Sequence, residues 1–196
     1  MSCEGCPSQG KCGKSSETCG IQSNPDNHIK NIITVMSGKG GVGKSTVTVM
    51  LAKAMAKKGL KVGIMDADIT GPSIPRLLAL SNEHAFGNEK QQLIPVESKE
   101  GIKVMSLNFL VQSESDPVIW RGPVIGGVVK QFYTDVVWGD LDVLLIDMPP
   151  GTGDVALTIM QSIPVQGVVM VSTPQPMVSM IVEKACHMCE KMEVKV

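Results

Sequence analysis

The run GKGGVGKST, residues 38 to 46, packs four glycines, two lysines and a hydroxyl pair into nine positions. Gly38, Gly43, Lys44 and Ser45 fit the spacing G-x-x-x-x-G-K-[ST]. Glycines Gly38, Gly40, Gly41 and Gly43 let the backbone N–H groups from Gly38 through Lys39, Val42 and Thr46 curl around phosphate oxygens. The helix that opens there adds its positive end. Lys44 is placed to reach the β- and γ-phosphates and Ser45 to ligate Mg²⁺. Asp147 closes the run LLID ahead of MPPG, the place of a carboxylate that holds Mg²⁺ directly or through water. Gly151 follows a double proline and is positioned to offer its N–H to a γ-phosphate, which would make Pro149-Pro150-Gly151 a switch. Asp66 and Asp68 end another apolar run, KVGIMDAD. One would position an attacking water and the other would bind Mg²⁺ through water; the bland alternative is a cap on the helix near Pro72. The chemistry these residues suit together is transfer of a phosphoryl group to water.

Positioning them requires strands that end in polar residues. NIITVMS, 31 to 37, is a short apolar run stopped by glycines, as expected of a buried parallel strand. A helix should run from about Gly43 to Lys58, with Val47, Met50, Leu51 and Ala54 at helical spacing and Gly59 ending it. Residues 61–68 read as the second strand, and LIPVESKEGIKVMSLNF as a strand pair turning at Glu100–Gly101. A helix over about 123–137, a strand over 142–147, a helix over about 154–163, a strand over 167–173 and a helix over about 176–192 follow. This alternation predicts an α/β fold of the P-loop NTPase kind, a mostly parallel sheet flanked by helices on both faces. Ligands in such sheets bind at the carboxyl ends of the strands, and three of these strands carry motif residues there.

The 196 residues are enough for one such domain. The net charge of -1 gives no electrostatic reason to expect nucleic acid as the main partner. No apolar run reaches the ~20 residues a membrane helix needs, and no apolar signal region follows Met1, so a cytoplasmic protein is expected. The final residues, MEVKV, resemble a strand that begins and then stops, and the native protein is expected to continue beyond them.

The six cysteines fall at the two ends of the chain. Residues 1–27 hold Cys3, Cys6, Cys12 and Cys19 among Gly, Ser and Lys, with almost no large aliphatic residue. They cannot build a core and form a tail or a small metal-organised module ahead of the phosphate-loop domain at 28–196. Four thiolates suit an iron–sulfur cluster, and Zn²⁺ also takes four cysteines; an unliganded tail is the third reading. Cys186 and Cys189 share the apolar arc of the last helix with Val178, Ile181, Val182, Ala185 and Met192, so core packing is expected of both. His28 and His84 show no ligand spacing.

The loop GKGGVGKS resembles the phosphate loop of the MinD/ParA/nitrogenase-iron-protein class. There the extra lysine reaches across a dimer to the partner's nucleotide, so the resemblance implies for Lys39 a charge placed where the transition state gains it. DADITGPSIPRLL, PVIWRGP, WGDLDVLLIDMPPGTGDVALTIMQSIP and VSTPQPMVSMIVEKA resemble the Mrp/ApbC family of iron–sulfur cluster carrier ATPases. That resemblance implies a homodimer that binds ATP, carries a labile [4Fe–4S] cluster and hands it to apoproteins, with no nucleic acid or membrane partner. ATP rather than GTP rests on it alone. It implies the cluster ligands Cys3, Cys6 and Cys12; the family's fourth cysteine lies further upstream, and Cys19 is its candidate replacement. The family's other Cys-x-x-Cys pair would follow the last residue here. Trp120 and Arg121 would lie on the dimer face or simply start a helix. The alternative is a MinD/ParA-like switch that dimerises on ATP and recruits a partner.

Overall fold

The computed structural model describes residues 24–69, 71–90, 92–111, 122–174 and 176–196. The four tail cysteines, Trp120 and Arg121 lie outside the described residues. Six strands form the main sheet in the order β5-β6-β2-β7-β1-β8. These are β1 (His28–Ser37), β2 (Val62–Asp66), β5 (Val96–Glu97), β6 (Lys103–Met105), β7 (Asp140–Asp147) and β8 (Gly167–Val171). All neighbours run parallel except β5, which turns back on β6 as the Glu100–Gly101 turn predicts. Two-residue strands β3 (Phe86–Gly87) and β4 (Leu93–Ile94) make a separate small ribbon.

Both faces of the sheet are covered, which is why its central strands are nearly all apolar. On one face Ile64, Val104 and Leu145 pack against α1 (Lys44–Lys57) and α2 (Ile74–Leu77) through Val49, Ala52 and Ile74. On the other, Met36, Met65, Leu144 and Ile146 meet α3 (Gly122–Thr134), α4 (Asp154–Ser162) and α5 (Pro176–Lys191) through Val129, Phe132, Ile159 and Cys189. Among the described residues no helix is long and apolar enough to cross a membrane.

Three details depart from the sequence reading. The buried face of α1 is Thr48, Val49 and Ala52, whereas Met50 is 64% exposed and Ala54 is exposed. The buried Lys44 sets the rotation of the helix, and residues four, five and eight positions later follow it inward. Helix α3 stops at Thr134 rather than 137, because after the turn at Asp135 the chain bonds to Leu93 through the Asp135 carbonyl and the Val137 N–H. Trp138 then folds under the helix, its indole N–H donating to the Phe132 carbonyl at 3.0 Å. Cys189 is buried as expected, but Cys186 is only half-buried.

The expected half-strand at the end of the chain is present as a single bridge. The Val168 N–H donates to the Lys195 carbonyl at 2.8 Å, alongside the edge strand β8.

Candidate functional site

The carboxyl ends of β1, β2, β6 and β7 converge where the phosphate loop turns from β1 into α1. Gly38 is there because of close approach: a Cβ on it would lie 3.2 Å from Val182 Cγ2 and 3.3 Å from the Val182 backbone N in α5. Gly43 is the N-cap of α1 with φ 91°, a conformation that favours glycine, and no side chain caps the helix. The first N–H groups of α1 are therefore without a side-chain acceptor. The Ser37 hydroxyl donates to the Lys39 carbonyl at 3.0 Å and braces the start of the loop; Lys39 itself is half-buried. Gly40, Gly41, Gly43, Lys44, Ser45 and Thr46 line a cleft of ≈ 340 Å³ together with Asp68, Arg76 and Pro150.

Asp147 anchors the floor of the cleft. It is fully buried, and its Oδ2 accepts from Lys44 Nζ at 2.8 Å and from the Ser45 hydroxyl at 2.6 Å. Its Oδ1 lies 2.8 Å from the Thr48 hydroxyl. Lys44 is also 3.6 Å from Asp68 Oδ2. Asp66 stands opposite Asp147 in the β2–β7 register and is only 1% exposed. Its Oδ1 accepts from the Asp68 N–H at 3.2 Å, and its Oδ2 lies 3.1 Å from the Ser106 hydroxyl. Burial, and then the neighbouring Asp147 charge, push its pKa up to about 8. Gly151, at φ 83°, donates its N–H to the Ser37 carbonyl at 2.8 Å, so that group is engaged with β1.

The structure thus gathers Lys44, Ser45, Asp66, Asp68 and Asp147 around one cleft and ties Gly151 to its edge. Asp66, expected to position the attacking water or to bind Mg²⁺ through water, is buried and accepts from the Asp68 N–H. His28 lies at the other end of the sheet and His84 outside the cleft's lining. Thr48 and Ser106 escaped the sequence reading. Thr48 is one helical turn after Lys44, and Ser106 is a polar residue just past the carboxyl end of β6, the same signal that marked Asp147.

A larger cavity, ≈ 660 Å³, opens at the amino ends of β1 and β7, beside His28, Lys30, Lys61, Asp140 and Asp142. Its charges pair with one another, Lys30 with Asp142 at 2.7 Å and Lys61 with Asp140 at 3.9 Å. The smaller cleft, with its buried lysine and carboxylates at the carboxyl strand ends, is where chemistry fits.

A parallel sheet with this loop between its first strand and helix, and an aspartate ending a neighbouring strand, defines a P-loop NTPase. The chain belongs to the NUBPL iron-transfer P-loop NTPase family, whose model matches residues 28–196. An iron-sulfur cluster carrier protein of Clostridium perfringens is 50% identical over 206 residues, which take in 98% of this chain and 72% of that protein. A nucleotide-binding protein from Archaeoglobus fulgidus, solved in complex with ADP, matches with a TM-score of 0.74 and 48% identity, over 86% of this chain and 64% of that one. The MinC:MinD cell division complex of Aquifex aeolicus matches with a TM-score of 0.61 at 22% identity, covering 84% of this chain and 66% of the other. This last likeness shows a shared fold.

Proposed function

We propose that this chain is an ATP-hydrolysing carrier that binds a labile [4Fe–4S] cluster as cargo and delivers it to apoproteins. One observation carries the reading: the Lys44–Asp147 phosphate site lies in a chain of the iron-transfer family. The match to a named cluster carrier, 50% identical over 98% of this chain and so extending into the cysteine tail, supports it.

In this reading residues 28–196 form the ATPase domain. Residues Gly38 to Thr46 cradle the phosphates, and Lys44 leaves Asp147 to meet the β- and γ-oxygens. Ser45 and Asp147 hold Mg²⁺: two oxygens already 2.6 Å apart suit a hard cation that takes one or two protein ligands and completes its shell from phosphate and water. Bound there, Mg²⁺ neutralises charge on the phosphates. Asp68, which lines the cleft, orients the attacking water, and Asp66 holds the Asp68 backbone from beneath. Gly151 turns its N–H from Ser37 to the γ-phosphate. Lys39 serves the nucleotide of the second subunit in a cytoplasmic homodimer. Residues 1–27 carry the cluster on Cys3, Cys6, Cys12 and Cys19.

Anaerobic reconstitution with iron and sulfide tests the reading, run on this chain and on a Cys3/Cys6/Cys12 triple Ser variant, followed by incubation with a [4Fe–4S] apoprotein. Expected are about four irons per cluster, loss of the cluster in the variant, and activation of the apoprotein that depends on ATP. A chain that takes up zinc alone, or no metal, sinks the carrier role and leaves a nucleotide switch.

A further inference from the structure

We propose that Thr48 is a positioning residue that holds Oδ1 of Asp147 and so aims its Oδ2 at the cation site. The proposal rests on the reading of Ser45 and Asp147 as the Mg²⁺ ligands.

A carboxylate turns about its last torsion in a broad two-fold well, so an anchor on one oxygen decides where the other points. Asp147 has such an anchor. Its Oδ1 lies 2.8 Å from the Thr48 hydroxyl, which leaves Oδ2 facing Ser45 and Lys44. Thr48 is fully buried, so water cannot take its place. It sits four residues after Lys44 on α1, directly beneath it. The residue that meets the phosphates and the residue that sets the metal ligand are thus one turn apart on a rigid element.

The hydroxyl has one proton and two acceptors within reach, Asp147 Oδ1 at 2.8 Å and the Lys44 carbonyl at 3.1 Å. The charged, nearer acceptor takes the proton in this state. A cation that takes Oδ2 leaves this bond to Oδ1 in place, so the anchor also holds the metal-bound carboxylate. Valine has the shape of threonine without the hydroxyl, and serine keeps the hydroxyl.

The test is a Mg²⁺ titration of the binding of a fluorescent ADP analogue to the full chain. Thr48→Val should raise the half-saturating Mg²⁺ about tenfold, the effect of losing an outer-shell partner. Its affinity for the analogue in EDTA should stay within about twofold of the unsubstituted chain, because the loop and Lys44 are intact. Thr48→Ser should recover most of the Mg²⁺ response. If Thr48→Val does not fold, Thr48→Ala removes the hydroxyl without crowding and should show the same shift. An unchanged Mg²⁺ midpoint overturns the proposal. So does equal weakening with and without Mg²⁺, which would mark Thr48 as merely structural. If the unsubstituted chain itself binds the analogue equally with and without Mg²⁺, the metal reading falls and Thr48 falls with it.

Discussion

Lys44 Nζ rests 2.8 Å from Asp147 Oδ2, a bond between residues 103 positions apart in the chain, with the lysine 7% and the aspartate 0% exposed. The cation proposed to bind phosphate thus rests on the carboxylate proposed to hold the metal. Asp147 and Asp68 both lie within ion-pair distance of this lysine, which offsets their charge, and Asp66 beneath them has its pKa raised to about 8. In the proposed complex phosphate would take the place of Asp147 beside Lys44, and a metal would take the place of Lys44 beside Asp147.

Removing the lysine should therefore unsettle the fold as well as binding. Lys44→Ala leaves Asp147 buried without its counter-ion, and such a loss costs about 3–5 kcal/mol. Urea denaturation in EDTA should show a drop of that order, and nucleotide binding should be lost. A variant as stable as the original would mean that Ser45 and Thr48 suffice for Asp147.

Lys39 should behave differently. It is half-buried in the loop, and its carbonyl braces Ser37, so its side chain can be shortened without opening the floor of the site. Lys39→Ala should bind nucleotide within about threefold of the original and lose hydrolysis by 10²-fold or more, the scale set by removing a charge placed at the transition state. Equal loss of binding in the Lys39 and Lys44 variants would remove the cross-dimer role.

How far the sequence could be read follows the range of the interactions involved. The phosphate loop and the strands ending at Ser37, Asp66 and Asp147 were legible because each is a local pattern, an apolar run followed by its polar stop. The rotation of α1 was not. Its exposed Met50 and buried Thr48 follow from a bond to a strand about a hundred residues away, and side-chain hydrophobicity alone ranks them the other way. Thr48 was missed because a lone helical hydroxyl has no distinguishing spacing until its carboxylate partner is known, and Ser106 because its strand-end position stands beside no acidic or glycine motif. The ribbon of β3 and β4 has two residues per strand, too few to show a period.

Asp66 makes a pH-dependent contribution whose sign is fixed by its raised pKa. An unfolded aspartate ionises near about 3.9, while the folded one keeps its proton until about 8. Between these values the folded state binds the extra proton, so stability falls as pH rises, by at most about 1.4 kcal/mol per unit. The loss is complete above about pH 8. Asp66→Asn mimics the neutral acid and does not titrate. Measured in EDTA, the melting temperature of Asp66→Asn relative to the original should climb from pH 4 to pH 8 and then level off. A flat difference would mean that Lys44 keeps Asp66 ionised.

Gly63 offers a test of packing far from the phosphates. A Cβ there would lie 2.7 Å from Leu141 Cδ1, 3.0 Å from Leu144 Cδ1 and 3.2 Å from Trp138 Cε3. All three side chains are buried, and Trp138 is held by its indole bond to Phe132, so they have little room to yield. Gly63→Ala should cost about 1–3 kcal/mol, as overpacking does, with nucleotide affinity unchanged. Stability equal to the original would show that the layer under β2 is looser than its contacts indicate.

The bond from Gly151 to Ser37 gives the switch an observable signal. The Gly151 N–H is held at 2.8 Å by the last carbonyl of β1, and it cannot meet a γ-phosphate without leaving it. Amide exchange at Gly151 should therefore be slow in the nucleotide-free chain. On adding a non-hydrolysable ATP analogue with Mg²⁺, its resonance should move, whereas ADP should leave it in place because no γ-phosphate is present. Since φ at Gly151 is 83°, Gly151→Ala should cost about 1–2 kcal/mol and reduce hydrolysis more than binding. A Gly151 resonance that stays put with the ATP analogue, while that of Gly43 shifts, would leave Pro149-Pro150-Gly151 a fixed turn and require another group to sense the γ-phosphate.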